Sequence, residues 1–175
     1  PGDANEVSYS WKIAIESRTT PTIVVLTRQN IPTFERSEVN KASLTQKGAY
    51  ILADSKKEIP DSILIGTGSE LHLAVEAKKE LITKGIDARV VSMPSWELFD
   101  QQTDDYKDSV LPSSVTNRVS VEAGSTFGWS KWVGSTGKSI GIDTFGASAP
   151  YEELYEHFGI SSSKIVEAVL AQTES

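Results

Sequence analysis

From residue 62 onward, short runs of β-branched and aliphatic residues alternate with longer segments that repeat at helical spacing. This alternation restricts the fold more than any other feature of the chain. Residues 62–65, 88–92, 118–121 and 139–142 are strand candidates, preceded by a short one over 48–52. Residues 70–84 place Leu71, Ala74, Val75, Leu81 and Ile82 on one helical face and stop at Gly85. Residues 96–100, 104–110 and 127–133 read as short helical pieces. A helix over 150–158 opens with a first-turn proline, and a last one begins near Ser162 and presents Ile165, Val166, Val169 and Leu170. Strand–helix–strand repeats require right-handed crossovers, so the strands lie mostly parallel and helices cover both faces. Continuous apolar runs fit strands buried on both sides. The expected architecture is α/β, in three α/β/α layers around a mostly parallel sheet.

The first forty residues do not fit this repeat. Asp3 can cap a helix over about 4–17, with Val7, Trp11, Ala14 and Ile15 at helical spacing, and Arg18-Thr19-Thr20-Pro21 breaks it. Residues 22–28 hold four consecutive apolar positions and predict a strand buried on both faces. One helix and one strand cannot cover each other. They read as the tail of another domain, joined through a linker over residues 30–47. The chain opens on Pro1 and has a single methionine, Met93, so we expect it to be processed or cut from something longer.

Composition narrows the partners. Seventeen Lys+Arg against 24 Asp+Glu give a net charge of −7, which repels a phosphate backbone over most of the surface and argues against nucleic acid. No apolar run reaches the ~18 residues of a membrane-spanning helix, and no signal peptide is visible. Cysteine is absent, which excludes disulfides and thiolate metal sites and suits the cytoplasm.

Three places could carry chemistry. The turn Gly66-Thr67-Gly68-Ser69-Glu70 joins a strand to a helix, where free N–H groups and a partial positive charge could hold a phosphate or carboxylate. It lacks the Gly-Lys-Ser/Thr of a phosphate loop, and Leu71 stands where a dinucleotide fingerprint needs a third small residue. The plainer reading is a tight turn capped by Ser69 or Thr67. Arg28 lies near the C-terminal end of its strand, where open α/β sheets bind ligands, and a guanidinium suits phosphate. A surface ion pair is its plainer reading. Glu122 follows a buried strand and could be an acid or base, or simply a hydrogen-bond acceptor. His72 and His157 stand alone and predict no metal site. Phe127, Trp129 and Trp132 predict a packing cluster, and the acidic stretch 100–108 a solvated face.

Taken in order, Leu26-Thr27-Arg28-Gln29-Asn30, Gly66-Thr67-Gly68-Ser69-Glu70, Arg89-Val90-Val91-Ser92-Met93-Pro94-Ser95, Val121-Glu122-Ala123-Gly124 and Phe145-Gly146-Ala147-Ser148-Ala149-Pro150 resemble the C-terminal end of transketolases. The stretches Phe99-Asp100-Gln101-Gln102 and Ser109-Val110-Leu111-Pro112 fall between them as that family has them. The resemblance covers essentially the whole chain. It implies that residues 1–41 end a pyrimidine-binding domain with its linker, and that 42–175 form the Rossmann-like C-terminal domain.

The resemblance also implies a parent enzyme that uses thiamine diphosphate and Mg²⁺. Such an enzyme moves a two-carbon ketol unit from a ketose phosphate to an aldose phosphate in the pentose phosphate pathway, as a cytoplasmic homodimer. The family's diphosphate and metal motif, catalytic histidines and activating glutamate have no counterpart in this sequence, so no catalytic residue and no bound cofactor is expected here. The partners implied are the remaining transketolase domains, a second subunit and sugar phosphates. One residue carries over: Arg28 matches the arginine that grips the sugar phosphate. The family usually has serine before it, and Thr27 keeps the hydroxyl. The domain's own role is then structural and dimer-supporting. The alternative is a small-anion or nucleotide-binding regulatory module, with Gly66, Thr67, Gly68 and Ser69 as the anion site.

Overall fold

Gly66 ends the central strand of the sheet, β2 (Ser62–Gly66), every residue of which is buried. β2 pairs in parallel with β3 (Ala88–Ser92) on one side and β4 (Arg118–Val121) on the other. β5 (Lys138–Ile140) extends the parallel set beyond β4, and β1 (Tyr50–Ala53) closes the other edge antiparallel to β3. The strand order is β1-β3-β2-β4-β5. These elements come from a computed structural model that describes residues 1–37 and 39–173.

Successive strand side chains point to opposite faces, and each face has its own core. Leu64, Val90 and Val119 pack with Leu71, Ala74, Ala77 and Leu81 of α2 (Leu71–Thr83) and Ile165, Val166 and Val169 of α7 (Ser162–Thr173). Ile63, Ile65 and Val91 pack with Phe99, Val110, Trp132 and Val133, carried by α3 (Trp96–Asp100), α4 (Asp104–Val110) and α5 (Ser130–Val133). The expected three-layer α/β/α arrangement is the one observed. The helix over 127–133 shrinks to α5, because Gly128 at φ 88 leaves the helical region before it. The last strand ends at Ile140 rather than 142, and Ile82 of α2 is exposed. Within the expected linker, Ala42–Lys47 form a 3₁₀ turn. It stops at Gly48, whose φ of 81 and backbone contact with α3 admit only glycine: a Cβ there would lie 2.2 Å from the Phe99 nitrogen.

The N-terminal region departs most from expectation. Its helix, α1 (Ala4–Glu16), has the expected bounds and the expected Asp3 cap, 2.7 Å from the Glu6 N–H. Half of the apolar stripe, however, faces outward: Trp11 is 54% and Ile15 66% exposed and Val7 and Ala14 are half-buried, while Glu6 is fully buried. Residues 22–28 join no sheet, and Ile23 and Val25 are 88% and 78% exposed. A strand buried on both faces needs neighbours to take its N–H and C=O groups, and the described residues supply none.

What holds α1 is polar. The Glu6 carboxylate accepts from the Gly2 N–H (2.6 Å), the Tyr50 hydroxyl (2.7 Å) and the Ser92 hydroxyl (2.6 Å). Asp3, also fully buried, accepts in addition from Arg36 Nη2 (2.6 Å) and the Phe34 N–H (3.2 Å). Each carboxylate thus has three donors, the condition under which burying a charge is tolerable. Burial, followed by the adjacent Glu6 charge, pushes the Tyr50 hydroxyl far above its ordinary pKa, so it remains a donor. Burial works against the Arg36 cation, but Tyr50, Asp3 and Glu6 together outweigh it and raise its pKa.

Candidate functional site

In the sheet, the chain passes from β2 to β3 on one side and returns to β4 on the other. The crevice outside the β2 and β4 C-termini is therefore the topological switch point, the usual ligand site of such sheets. A cleft of about 970 Å³ opens there. One wall is the extended segment 20–27 with Gln29. The other is the 67–70 turn, Pro94-Ser95, Glu122-Ala123 and Tyr155 of α6 (Tyr151–Phe158). Of the motif stretches read in the sequence, residues 67–70, Pro94-Ser95 and Glu122-Ala123 line the cleft, and Gly124 and Gly146 do not.

The glycine turn is shaped as its position demands. A Cβ on Gly66 would meet the Leu71 Cα at 2.8 Å, so glycine permits the tight strand-to-helix junction. Neither Thr67 nor Ser69 caps a helix there: no side chain caps the 3₁₀ turn Gly68–Glu70 or α2. Ser69 Oγ instead donates to Glu70 Oε1 at 2.6 Å. The buried Glu70 carboxylate is the centre of the crevice. Its Oε1 also accepts from the Tyr155 hydroxyl, and its Oε2 accepts from the Ala123 N–H at 3.0 Å, just past β4. The Glu70 carboxylate thus takes the Ser69 and Tyr155 hydroxyls and the Ala123 N–H of the crevice for itself. His72 Nδ1 lies against the Ser69 carbonyl.

The same network reaches the opposite wall. Tyr155, its hydroxyl pKa raised first by burial and then by Glu70, accepts from Gln29 Nε2 at 3.1 Å. Gln29 Oε1 in turn accepts from the Thr27 hydroxyl. Arg28, between them, is exposed, does not line the cleft and has no hydrogen bond or ion pair among the described residues.

Glu122 Oε2 accepts from Trp129 Nε1 at 2.8 Å, which gives it the structural role of its two readings. Trp96, unforeseen, completes the aromatic cluster, its ring centroid 5.0 Å from Trp129 and 6.2 Å from Trp132. Phe127 does not join and is 91% exposed, because Gly128 turns the chain away. The acidic stretch is solvated and ion-paired, Asp104 with Lys107 and Asp100 with Lys131. His157 is exposed against Phe158. Among the described residues, no group of three or more His, Cys, Asp or Glu side chains is placed to hold a metal.

The partners that sequence reasoning missed are Glu6 with Tyr50 and Ser92, and Glu70 with Tyr155 and Gln29. The only local signal for either is a first-turn acid in each helical segment, which also suits an exposed N-terminal charge.

Residues 48–161 match the family model described as the transketolase-like TK C-terminal domain. The chloroplastic transketolase of Solanum tuberosum is 53% identical over 169 residues, covering 96% of this chain and 22% of that protein. The Bacillus subtilis transketolase is 47% identical over 171 residues, 98% of this chain and 26% of that protein. Among solved structures, the Leishmania mexicana transketolase superposes with a TM-score of 0.90 at 38% identity, covering 99% of this chain and 24% of that one. The chain thus spans about a quarter of the length of the relatives it matches.

Proposed function

The chain belongs to the family of transketolase-like C-terminal domains, and on that premise we propose that it is the non-catalytic C-terminal portion of a transketolase. The parent would transfer a two-carbon ketol unit between sugar phosphates in the pentose phosphate pathway, as a cytoplasmic homodimer. Residues 1–41 would belong to the pyrimidine-binding domain and its linker, and residues 42–175 would be the C-terminal domain, with a structural and dimer-supporting role.

The observation that carries this reading is the segment 22–28. Its apolar side chains are exposed, and no strand of the described residues pairs with it. Its Arg28 is exposed without a hydrogen bond or ion pair among the described residues, while its neighbours Thr27 and Gln29 line the cleft. Such a segment suits the last strand of a sheet built from other parts of a larger protein. Arg28 would grip the substrate phosphate through the guanidinium fork, binding and orienting the sugar while the reacting carbons lie elsewhere.

Thiamine diphosphate and Mg²⁺ do not fit the residues of this chain. Glu70 already accepts three hydrogen bonds, Glu122 accepts from Trp129, and no acidic or histidine cluster is available among the described residues. No step through those groups is therefore assigned to it. The alternative reading, an anion- or nucleotide-binding module at Gly66, Thr67, Gly68 and Ser69, would have to place its anion beside the buried Glu70 carboxylate.

The 175-residue chain should show no ketol transfer even with thiamine diphosphate and Mg²⁺ added; measurable turnover would refute the non-catalytic reading. In the full-length enzyme, Arg28→Ala should raise KM for phosphorylated sugars, and an unchanged KM would remove Arg28 from the site. Phosphate at millimolar concentration should leave the amide shifts of residues 66–70 in place; saturable shifts there would favour the anion module.

A further inference from the structure

We propose that Gln29, Tyr155 and Glu70 form a brace that positions Arg28, with Tyr155 a positioning residue for phosphate recognition. The inference rests on the reading of Arg28 given above and adds a role for the C-terminal domain in substrate binding.

Arg28 needs such a brace. No backbone group of residues 21–30 takes part in a backbone–backbone hydrogen bond among the described residues. The Arg28 side chain has no partner of its own. Whatever fixes its position must act through the residues on either side. Both neighbours are held: the Thr27 hydroxyl donates to Gln29 Oε1, and Gln29 Nε2 donates to the Tyr155 hydroxyl at 3.1 Å, across 126 positions of sequence.

The direction of every bond in the brace follows from its far end. The Tyr155 hydroxyl donates to the Glu70 carboxylate, so its oxygen lone pair faces Gln29. The Gln29 amide must then present its NH₂ to Tyr155 and its oxygen to Thr27. Glu70 itself is fixed by the Ala123 N–H at 3.0 Å and the Ser69 hydroxyl at 2.6 Å, both at C-terminal strand ends of the rigid sheet. Only one arrangement satisfies all members, so the segment 27–29 is registered against the sheet. An arginine held in place before substrate arrives loses less freedom on binding than one on a loose strand.

Tyr155→Phe keeps the ring and removes the hydroxyl's bonds to Gln29, Glu70 and Ser69. In the 175-residue chain the loss of one or two net hydrogen bonds, about fivefold to tenfold in the population of the braced state, should lower the backbone ¹⁵N heteronuclear NOE at residues 27–29, whose amides make no hydrogen bond that exchange could report. Exchange in α2 and α7 should not change, which shows that the variant folds. In the full-length enzyme it should raise KM for a phosphorylated ketose by a similar factor with little change in kcat. KM for an unphosphorylated ketose should not move, and the effect should vanish in an Arg28→Ala background. An equal rise in KM for both ketoses, or an unchanged NOE at 27–29, would overturn the brace. If Arg28→Ala leaves KM unchanged, the phosphate reading of Arg28 fails, and the positioning role fails with it. If Arg28→Ala raises KM and Tyr155→Phe does not, only the brace fails.

Discussion

Glu6→Gln tests what attaches α1 to the rest of the molecule. Glu6 Oε1 accepts from Tyr50 and Ser92, and Oε2 accepts from the Gly2 N–H. A glutamine oxygen can keep the first two, but its NH₂ would then face the Gly2 N–H, donor against donor. Flipping the amide saves Gly2 and strands two hydroxyl protons instead. Losing one charge-assisted bond and leaving one buried donor unpaired costs about 2 kcal/mol. Glu6→Ala leaves all three donors unpaired and should cost about 4 kcal/mol, a large part of the stability of an ordinary domain.

The loss should be local. Neither apolar core includes a residue of α1, so releasing it uncovers little of them. We therefore expect amide exchange across Ala4–Glu16 in Glu6→Gln to accelerate about 30-fold, the factor that ~2 kcal/mol corresponds to. Exchange in β2 and β3 should stay within about twofold, and the main urea transition should hardly move. Because Tyr50 and Glu6 share a bond, Tyr50→Phe and Glu6→Gln should be non-additive by about 1 kcal/mol or more. If α1 protection changes less than about twofold, or α1 and the sheet lose protection together, the polar attachment is wrong.

Other outcomes follow from single features. Gly48→Ala adds a Cβ 2.2 Å from a backbone nitrogen at φ 81 and should destabilise by about 2–4 kcal/mol in urea denaturation; a loss under about 1 kcal/mol would contradict this geometry. The Tyr50 and Tyr155 hydroxyls have folded pKa values raised above the ordinary 10.0. Their contribution is therefore complete below pH 10 and is lost as pH rises from there toward the folded values, where the unfolded chain releases protons first. Stability should fall above pH 10, less steeply in Tyr50→Phe, and phenolate absorbance from these two residues should appear only on unfolding. Asp61 and Asp87 shift the other way. The Lys57 side chain lowers the Asp61 pKa; burial opposes ionisation of Asp87, but the Lys56 and Lys57 N–H groups outweigh it. Their contribution, present above pH 3.8, is lost below it, so amides of the 54–61 loop should lose protection in acid before the sheet does.

Where the cause of structure is local, the sequence was readable. β2 and β3 announce themselves because a strand covered on both faces carries consecutive apolar residues, and Gly66 marks a place where no Cβ fits; Gly48, read as the start of a strand, instead ends the 3₁₀ turn. The switch-point rule placed the cleft. It could not place Glu70 at its centre, because Tyr155 and Ala123, which hold that carboxylate, lie 85 and 53 positions away. Residues 22–28 show the converse limit. Their composition is that of a buried strand, but a strand exists only through its ladder, and the neighbours are not among the described residues. In α1 the helical period is right, but the helix is turned so that Trp11 and Ile15 face outward. Periodicity identifies two faces without saying which one docks, and Glu6 decides that through Tyr50 and Ser92, 44 and 86 residues distant. This orientation also bears on function. A helix that buries an acid and turns Trp11 and Ile15 outward, beside a segment that exposes Ile23 and Val25, leaves apolar surface uncovered on one side of the chain. Burying each such side chain is worth about 1.5–3 kcal/mol. Contact with another part of a larger protein would recover that free energy, and the polar bonds of Glu6 and Asp3 hold the exposed faces in position for it.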